Sequence, residues 1–107
     1  DGSTARDYTF VQDIVSGIVS SMNYVLENDN CFEIMNIGNN QPVKLNTLIS
    51  AIEKTLGKKA NIEQMPMQPG DVDITYSNID KAKKLIGYQP TTSIEDGLKE
   101  FVNWING

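Results

Sequence analysis

Arg6 is the first residue of this chain whose type and position could do chemistry. It is the one arginine among nine cationic side chains, the others being lysines. A guanidinium is always charged and presents a planar fork that fits phosphate or carboxylate oxygens. Arg6 also stands just ahead of a predicted helix, where free backbone N–H groups favour anions. Two interpretations stay open from this residue alone: an anion-binding arginine, or a surface ion pair with Asp7 or another carboxylate.

The second candidate is the polar stretch over residues 64–76, called the 64–76 loop below. Pro66 and Pro69 fix φ and bias the preceding residues towards extended backbone, so this stretch is not a helix and is stiffer than its polarity suggests. Gly70 frees the backbone just before Asp71. The carboxylate of Asp71 could accept hydrogen bonds from ligand hydroxyls. The same residues also suit a simple turn capped by Asp71, since Pro, Gly and Asp are ordinary turn formers.

The residue types that are missing exclude several kinds of site. The chain has no histidine and one cysteine, Cys31, which excludes histidine-dependent catalysis, a zinc cluster and an internal disulfide. A lone thiol favours a reducing, cytoplasmic setting, with Cys31 as a small core residue. A calcium loop beginning at Asp71 fails, because Tyr76 and Ala82 occupy the positions that need Gly and Glu.

Composition restricts the partners. The chain has 107 residues, a net charge of -5 and 39% hydrophobic residues, which fits one small domain or part of a larger protein. This acidity argues against nucleic acid or an anionic membrane surface as partner. No apolar run approaches the roughly 20 residues of a membrane-spanning helix. The first residues show no structural start, so we expect the chain to be cut from something longer.

The hydrophobic spacing predicts four helices. The first ends near Glu27 and begins with a capping box of Thr9 and Gln12. The second carries apolar residues from Leu45 to Leu56, with Asn46 or a neighbour as cap and Gly57 as its end. The third lies between an Asn78 cap and Gly87, and the last begins at Ser93, with Glu95 and Asp96 as structural acids in its first turn and Trp104 as an anchor against the core.

Two short strands are predicted between these helices. Residues 31–37 alternate roughly between apolar and polar and are followed by Gly38-Asn39-Asn40, which is typical of a strand and turn. A second short strand is predicted over residues 60–65. The expected fold class is therefore α/β, small and mostly helical with short strands.

Four motifs occur in order across residues 2–104: Arg6-Asp7-Tyr8, Asn36-Ile37-Gly38-Asn39, Gln68-Pro69-Gly70-Asp71-Val72, and the run from Gly87 to Leu98. With these spacings the chain resembles the C-terminal part of an extended short-chain dehydrogenase/reductase. More closely, it resembles the NAD-dependent nucleotide-sugar epimerases, and within them the UDP-glucuronate 4-epimerases. The resemblance implies that residues 1–107 form a nucleotide-sugar-binding portion detached from an NAD-binding Rossmann domain.

The resemblance also implies roles for four residues. Arg6 is expected to contact the diphosphate, with Tyr8 lining the same site, and Asp71 to accept hydrogen bonds from the uridine ribose. Gln68 stands where many family members carry a second cationic residue, and the glutamine is typical of the glucuronate branch. The expected partner is thus a UDP-sugar, and the parent reaction is the interconversion of UDP-glucuronate and UDP-galacturonate at C4 with NAD.

No catalytic pair of the family lies in this sequence. None of the four tyrosines has a lysine four residues later, and no glycine-rich dinucleotide fingerprint follows a strand. We therefore expect no NAD binding and no turnover by these residues alone. Two alternatives remain: a fragment of a nucleotide-sugar 4,6-dehydratase, and a non-catalytic binding or interaction module. The parent is expected to be a homodimer, and self-association of the fragment through uncovered apolar surface is also expected.

Overall fold

A computed structural model describes residues 2–107. The described elements are six in number. In chain order they are β1 (Ala5–Arg6), α1 (Val11–Glu27), β2 (Val43–Lys44), α2 (Leu45–Leu56), α3 (Asp80–Ile86) and α4 (Ile94–Asn106). The expectation of a mostly helical unit with short strands is confirmed.

The strands of the described residues are not the predicted ones. β1 and β2 pair antiparallel, with Ala5 opposite Lys44 and Arg6 opposite Val43. Residues 31–37 and 60–65 form no strand, so both strand predictions were wrong. Alternation of side chains predicts which way residues face, but a strand also needs a hydrogen-bonding neighbour. Within residues 2–107 those two stretches have none.

The residues that precede β1 contact the start of α2. The Leu45 N–H donates to the Thr4 carbonyl at 2.8 Å, and the Asn46 N–H donates to the Gly2 carbonyl at 3.1 Å. These carbonyls satisfy the first free amides of α2, which has Lys44 as its N-cap and no side-chain cap. The predicted cap at Asn46 was therefore wrong. Backbone from forty residues away does the capping instead.

The other helix ends follow the sequence closely. Gly57 and Gly87 adopt left-handed backbone at the ends of α2 and α3, where only glycine avoids a steric cost. The Ser93 hydroxyl accepts from the Asp96 N–H at 3.1 Å, as predicted for the start of α4. The Asn78 side chain accepts from the Asp80 N–H at 3.0 Å, although Ile79 is the N-cap of α3.

α1 ends at Glu27, as predicted, but its N-terminus is not capped as predicted. Phe10 is its N-cap and makes no side-chain capping bond, and the Thr9 hydroxyl donates to the Asp7 carbonyl instead. The capping box was therefore wrong. More unexpectedly, the buried side of α1 contains Asp13 and Gly17, whereas most of its apolar residues are exposed. These exposed residues are Val11, Val15, Ile18, Val19, Met22, Val25 and Leu26.

The core of residues 2–107 is correspondingly small. Ile79, Ala82 and Tyr88 form its buried cluster, with Met35, Ile37 and Ile86 packed against it. The chain measures 53 × 37 × 18 Å with a radius of gyration of 16.8 Å, where a compact domain of this length has about 13 Å. Trp104 is 77% exposed, so its predicted role as a core anchor was wrong. The fold is therefore a thin layer, with large apolar side chains left exposed on several of its elements.

Asp13 connects α1 to the segment between α3 and α4. Its carboxylate accepts from the Thr91 N–H at 3.3 Å, the Thr91 hydroxyl at 3.4 Å and the Thr92 N–H at 3.2 Å. Asp13 is buried, and these bonds offset the cost of placing a charge there. Gly17, one turn later, lets Ile37 and Tyr88 approach: a Cβ at Gly17 would lie 2.8 Å from the Ile37 Cδ1 atom. Two non-apolar residues thus give α1 its close contact with the core.

The buried phenol of Tyr88 makes the stability of the fold depend on pH in the alkaline range. Its hydroxyl donates to the Gly38 carbonyl at 2.7 Å. Burial raises the pKa of the Tyr88 phenol, and the negative charges of Asp13 and Asp7 raise the pKa further. An unfolded chain therefore loses this proton at lower pH than the folded chain does. The Tyr88 contribution to stability is complete below pH of about 10 and is lost as pH rises through the folded-state pKa.

We expect Tyr88→Phe to lower the free energy of unfolding by about 1–2 kcal/mol at pH 7, because the Gly38 carbonyl loses a buried donor. The variant should also lose the part of the stability decline above pH 10 that Tyr88 causes. Urea unfolding of both proteins between pH 7 and 11 measures this. An equal decline in the two proteins would contradict the assignment.

Candidate functional site

β1 holds Arg6 beside the far end of the 64–76 loop. The Ala5 N–H donates to the Asp73 carbonyl at 2.8 Å, and the Thr75 N–H donates to the Ala5 carbonyl at 3.1 Å. These two bonds form an isolated parallel bridge between Ala5 and Ile74. Residues separated by nearly seventy positions in sequence are thereby held at hydrogen-bonding distance. Arg6 follows directly, on the same backbone.

The Arg6 guanidinium reaches this bridge with one nitrogen. Nη1 donates to the Ala5 carbonyl at 2.8 Å and, more weakly, to the Asp73 carbonyl at 3.3 Å. Within residues 2–107 the guanidinium forms these two hydrogen bonds and no salt bridge, and Asp7 does not pair with it. Arg6 is half-buried, so its remaining donors stay available to an anion at the surface.

Asp71 and Gln68 lie on one exposed turn of the 64–76 loop. The Asp71 N–H donates to the Gln68 carbonyl at 3.1 Å, and Gly70 between them has a φ of 88°. Both hypotheses about this stretch are thus compatible with the geometry, because the turn exists and both side chains are exposed to solvent. Two residues after Asp71, the Asp73 carbonyl contacts Ala5 and Arg6.

Tyr8 lies in a different environment. It is half-buried and lines an apolar cavity of about 340 Å³ between the start of α1, α2 and α4. The other lining side chains are mostly apolar: Phe10, Leu48, Ile94, Leu98 and Phe101 among them. Arg6 and the 64–76 loop do not line this cavity. The structure brings Arg6 together with the loop, and places Tyr8 beside an apolar space.

Sequence reasoning missed Asp7, which joins three segments. Its carboxylate accepts from the backbone N–H groups of the turn after Gly38, at 3.0–3.2 Å, and from the Ser77 N–H at 3.2 Å. Its own N–H donates to the Thr75 hydroxyl at 3.0 Å. The turn residues are Asn39, Asn40 and Gln41. The Asn36-to-Asn39 motif was a visible signal, but nothing in the sequence pairs it with Asp7.

The absence of a side chain at Gly38 allows this turn to lie close to Ser77 and to the Asp7 carboxylate. A Cβ there would lie 2.5 Å from the Ser77 Cβ and 2.8 Å from the Asp7 Oδ2 atom, closer than side-chain atoms pack. The Gly38 carbonyl meanwhile accepts from Tyr88. The 38–41 turn is therefore fixed on both sides, by Tyr88 through its carbonyl and by Asp7 through its amides.

The candidate residues of this region carry groups suited to binding a polar ligand. Arg6 offers a half-buried guanidinium, and the loop offers the exposed side chains of Asp71 and Gln68. These residues do not fit NAD, since the sequence contains no tyrosine–lysine pair and no glycine-rich strand-to-helix turn. Among residues 2–107 no cluster of three Cys, Asp or Glu side chains could hold a metal ion. No helix of the described part is long and apolar enough to cross a membrane.

The chain matches one protein family and is similar in sequence to several known proteins. The family model described as GDP-mannose 4,6 dehydratase matches residues 1–101. An uncharacterized protein of Methanocaldococcus jannaschii is 47% identical over 96% of this chain and 30% of its own length. A UDP-glucuronate 4-epimerase of Thermodesulfobacterium geofontis is 40% identical over 97% of this chain and 31% of its own length.

A solved structure has the same architecture. The UDP-glucuronic acid 4-epimerase from Bacillus cereus, in complex with UDP-glucuronic acid and NAD, superposes with a TM-score of 0.89 at 32% identity. The match covers 99% of this chain and 33% of that one. This chain thus spans about a third of the length of the relatives it matches. It belongs to the GDP-mannose 4,6 dehydratase family, among relatives that include NAD-binding UDP-glucuronate 4-epimerases of the short-chain dehydrogenase/reductase type.

Proposed function

We propose that residues 1–107 bind the UDP part of a nucleotide sugar, as the C-terminal substrate-binding portion of an NAD-dependent UDP-glucuronate 4-epimerase. The observation that carries the proposal is the bridge between Ala5 and Ile74, which holds Arg6 against the loop that contains Asp71. A cation and a carboxylate at neighbouring positions match the two ends of this ligand part, since phosphates need donors and ribose hydroxyls need acceptors.

The proposed contacts follow from that chemistry. Arg6 donates from its remaining N–H groups to the diphosphate, and Gln68 adds a neutral donor from the loop. Asp71 accepts from the ribose hydroxyls. Tyr8 lines the apolar cavity, and we propose that its phenol reaches the same site from there. The Bacillus cereus relative, solved with UDP-glucuronic acid and NAD, supports this choice of ligand.

The apolar side of α1 supports the proposal that the remaining domain is an NAD-binding Rossmann domain. Seven large apolar residues on α1 are about half or more exposed in the part of the chain that the structure describes. A contiguous apolar face of this kind marks a packing surface. In the proposed parent, this face packs on the rest of the enzyme, which supplies NAD and the catalytic pair. Without that cover the residues self-associate, and the parent acts as a cytoplasmic homodimer.

The experiment has two parts. First, calorimetry with UDP and GDP on the full-length protein should show binding of UDP in preference to GDP; preference for GDP would contradict the uridine assignment. Second, UDP-glucuronate and NAD are incubated with the full-length protein and with residues 1–107 alone. The expected result is UDP-galacturonate from the former and no product from the latter.

The family model is described as GDP-mannose 4,6 dehydratase, so the alternative of a nucleotide-sugar 4,6-dehydratase needs its own test. A nucleotide-sugar 4,6-dehydratase acts on a hexose with a free 6-hydroxyl and gives a 4-keto-6-deoxy product by loss of water, whereas UDP-glucuronate carries a carboxylate at C6 and cannot react in this way. The same incubation with UDP-glucose therefore separates the two, because mass spectrometry would show a product lighter by one water only with the dehydratase. A product of turnover by residues 1–107 alone would contradict the assignment of the catalytic groups to the rest of the enzyme. UDP affinity without any turnover by the full-length protein would favour the non-catalytic binding module.

A further inference from the structure

The Asp7 carboxylate, directly after Arg6 in sequence, is bonded to backbone N–H groups of the chain itself. Its carboxylate oxygens accept from four backbone N–H groups: Oδ1 from Asn39 and Gln41, and Oδ2 from Asn39, Asn40 and Ser77. Both oxygens are therefore committed to the protein itself. Asp7 is half-buried and follows Arg6 in the sequence.

These bonds connect the two halves of the proposed site. On one side Asp7 directly follows Arg6, the last residue of β1. On the other side it holds Ser77 by its carboxylate and Thr75 by its N–H, at the point where the 64–76 loop leaves for α3. The loop thus has one attachment at Ala5 through backbone bonds and a second at Asp7 through a side chain. The second attachment needs a charge-bearing acceptor, because one group must serve four donors.

The 38–41 turn makes this attachment rigid. Asn40 has a positive φ of 59°, which directs successive N–H groups of the turn to one side. Tyr88 fixes the turn from the core through the Gly38 carbonyl. A carboxylate held by this turn has little freedom to move, and the position of Ser77 follows from it.

We infer that Asp7 is a positioning residue that sets the 64–76 loop relative to Arg6, so that Asp71 and Arg6 reach the two ends of one UDP moiety. This inference rests on the proposed function. Asp7 does not touch the ligand; its effect on affinity passes through the position of Arg6 relative to the loop.

Asp7→Asn tests the inference with the least change in shape. An amide oxygen at the Oδ2 position keeps Asn39, Asn40 and Ser77, but its NH₂ group then faces the Gln41 N–H; the flipped amide opposes Asn40 and Ser77 instead. In either orientation the charge is lost and two donors face each other. We expect the Kd for UDP to rise about tenfold in the full-length protein.

Asp13→Asn is the matched control. Asp13 is also a carboxylate that accepts from backbone N–H groups, but it holds Thr91 and Thr92, away from Arg6 and the loop. Both variants should lower the Tm, whereas Asp13→Asn should leave the Kd for UDP within about twofold. An equal loss of affinity in the two variants would reduce Asp7 to a stabilising residue and overturn the inference.

A double-mutant cycle with Arg6→Ala adds a measurement that a merely stabilising role does not move. If Asp7 acts through Arg6, Asp7→Asn in the Arg6→Ala background should weaken UDP binding by less than about threefold more. Full additivity of the two losses overturns the inference, as does a wild-type Kd in Asp7→Asn. If the wild-type protein itself fails to bind UDP, the proposed function falls first, which is a distinct result.

A second variant covers the case in which Asp7→Asn does not fold. Thr75→Val has the same shape as threonine and removes only the acceptor of the Asp7 N–H. This variant leaves the four N–H donors of the Asp7 carboxylate in place. We expect a several-fold rise in the Kd for UDP, smaller than in Asp7→Asn because one neutral hydrogen bond is lost. An unchanged Kd in a folded Thr75→Val would overturn the inference.

Discussion

Replacing Arg6 with alanine is expected to raise the Kd for UDP about 10- to 150-fold in the full-length protein, which corresponds to about 1.5–3 kcal/mol for a lost charge-assisted hydrogen bond. The reason is the geometry of β1, where Nη1 donates to the Ala5 and Asp73 carbonyls, so that the remaining donors can make the proposed contact with the diphosphate. Isothermal calorimetry with UDP measures the change.

Two further variants separate charge from geometry. Arg6→Lys keeps the positive charge but loses the planar fork, so its Kd should lie between those of wild type and Arg6→Ala. Lys84→Ala removes one charge from the exposed side of α3 and should leave the Kd unchanged. If Lys84→Ala weakens binding as much as Arg6→Ala does, net charge explains the effect and Arg6 is a surface residue.

Gly38→Ala is expected to lower the free energy of unfolding by about 1–3 kcal/mol, with a fall in Tm of about 4–8 °C for each kcal/mol. An added methyl group would overlap the Cβ of Ser77, which is fixed to the backbone and cannot rotate away, as well as the Asp7 carboxylate. Relief of the overlap requires the 38–41 turn or residue 77 to move. Thermal unfolding followed by circular dichroism measures the loss.

Gly97→Ala provides the comparison for Gly38→Ala. Gly97 is within α4, and a Cβ there would lie 3.2 Å from the edge of the Phe10 ring and 3.7 Å from the Thr92 Cγ2 atom. Because alanine is favoured over glycine in a helix by about 1 kcal/mol, this gain offsets the tight contact. We expect a change of less than about 1 kcal/mol. A Gly38→Ala protein as stable as Gly97→Ala would show that the turn adjusts without cost.

Local features of the chain were largely determined by the sequence. The four helices were predictable, as were the ends of α2 and α3 at Gly57 and Gly87 and the Ser93 cap of α4. Each depends on hydrophobic period, backbone freedom or a hydroxyl within three residues of its partner. The sequence motifs were also sufficient for the resemblance to nucleotide-sugar epimerases, which the family match and the solved relatives confirmed.

The positions of the candidate site residues were only partly predictable. The sequence picked out Arg6 and Asp71 by residue type, but the contact of Arg6 with the loop that contains Asp71 depends on the bridge between Ala5 and Ile74. The role of Asp7 depends on amides more than thirty residues away. Such pairs are set by tertiary packing, and no spacing rule connects them.

The direction of the apolar residues on α1 was also decided by the tertiary structure. The sequence determined that α1 is amphipathic, but Asp13 and Gly17 face the core, because the carboxylate finds donors at Thr91 and Thr92 and the glycine admits Ile37. Periodicity shows that a helix has an apolar side and not what that side packs against. The sequence alone thus determined the helices, their ends and the candidate ligand groups. Only the tertiary structure decided which surfaces are covered and which groups meet, because hydrogen bonds between distant segments set both.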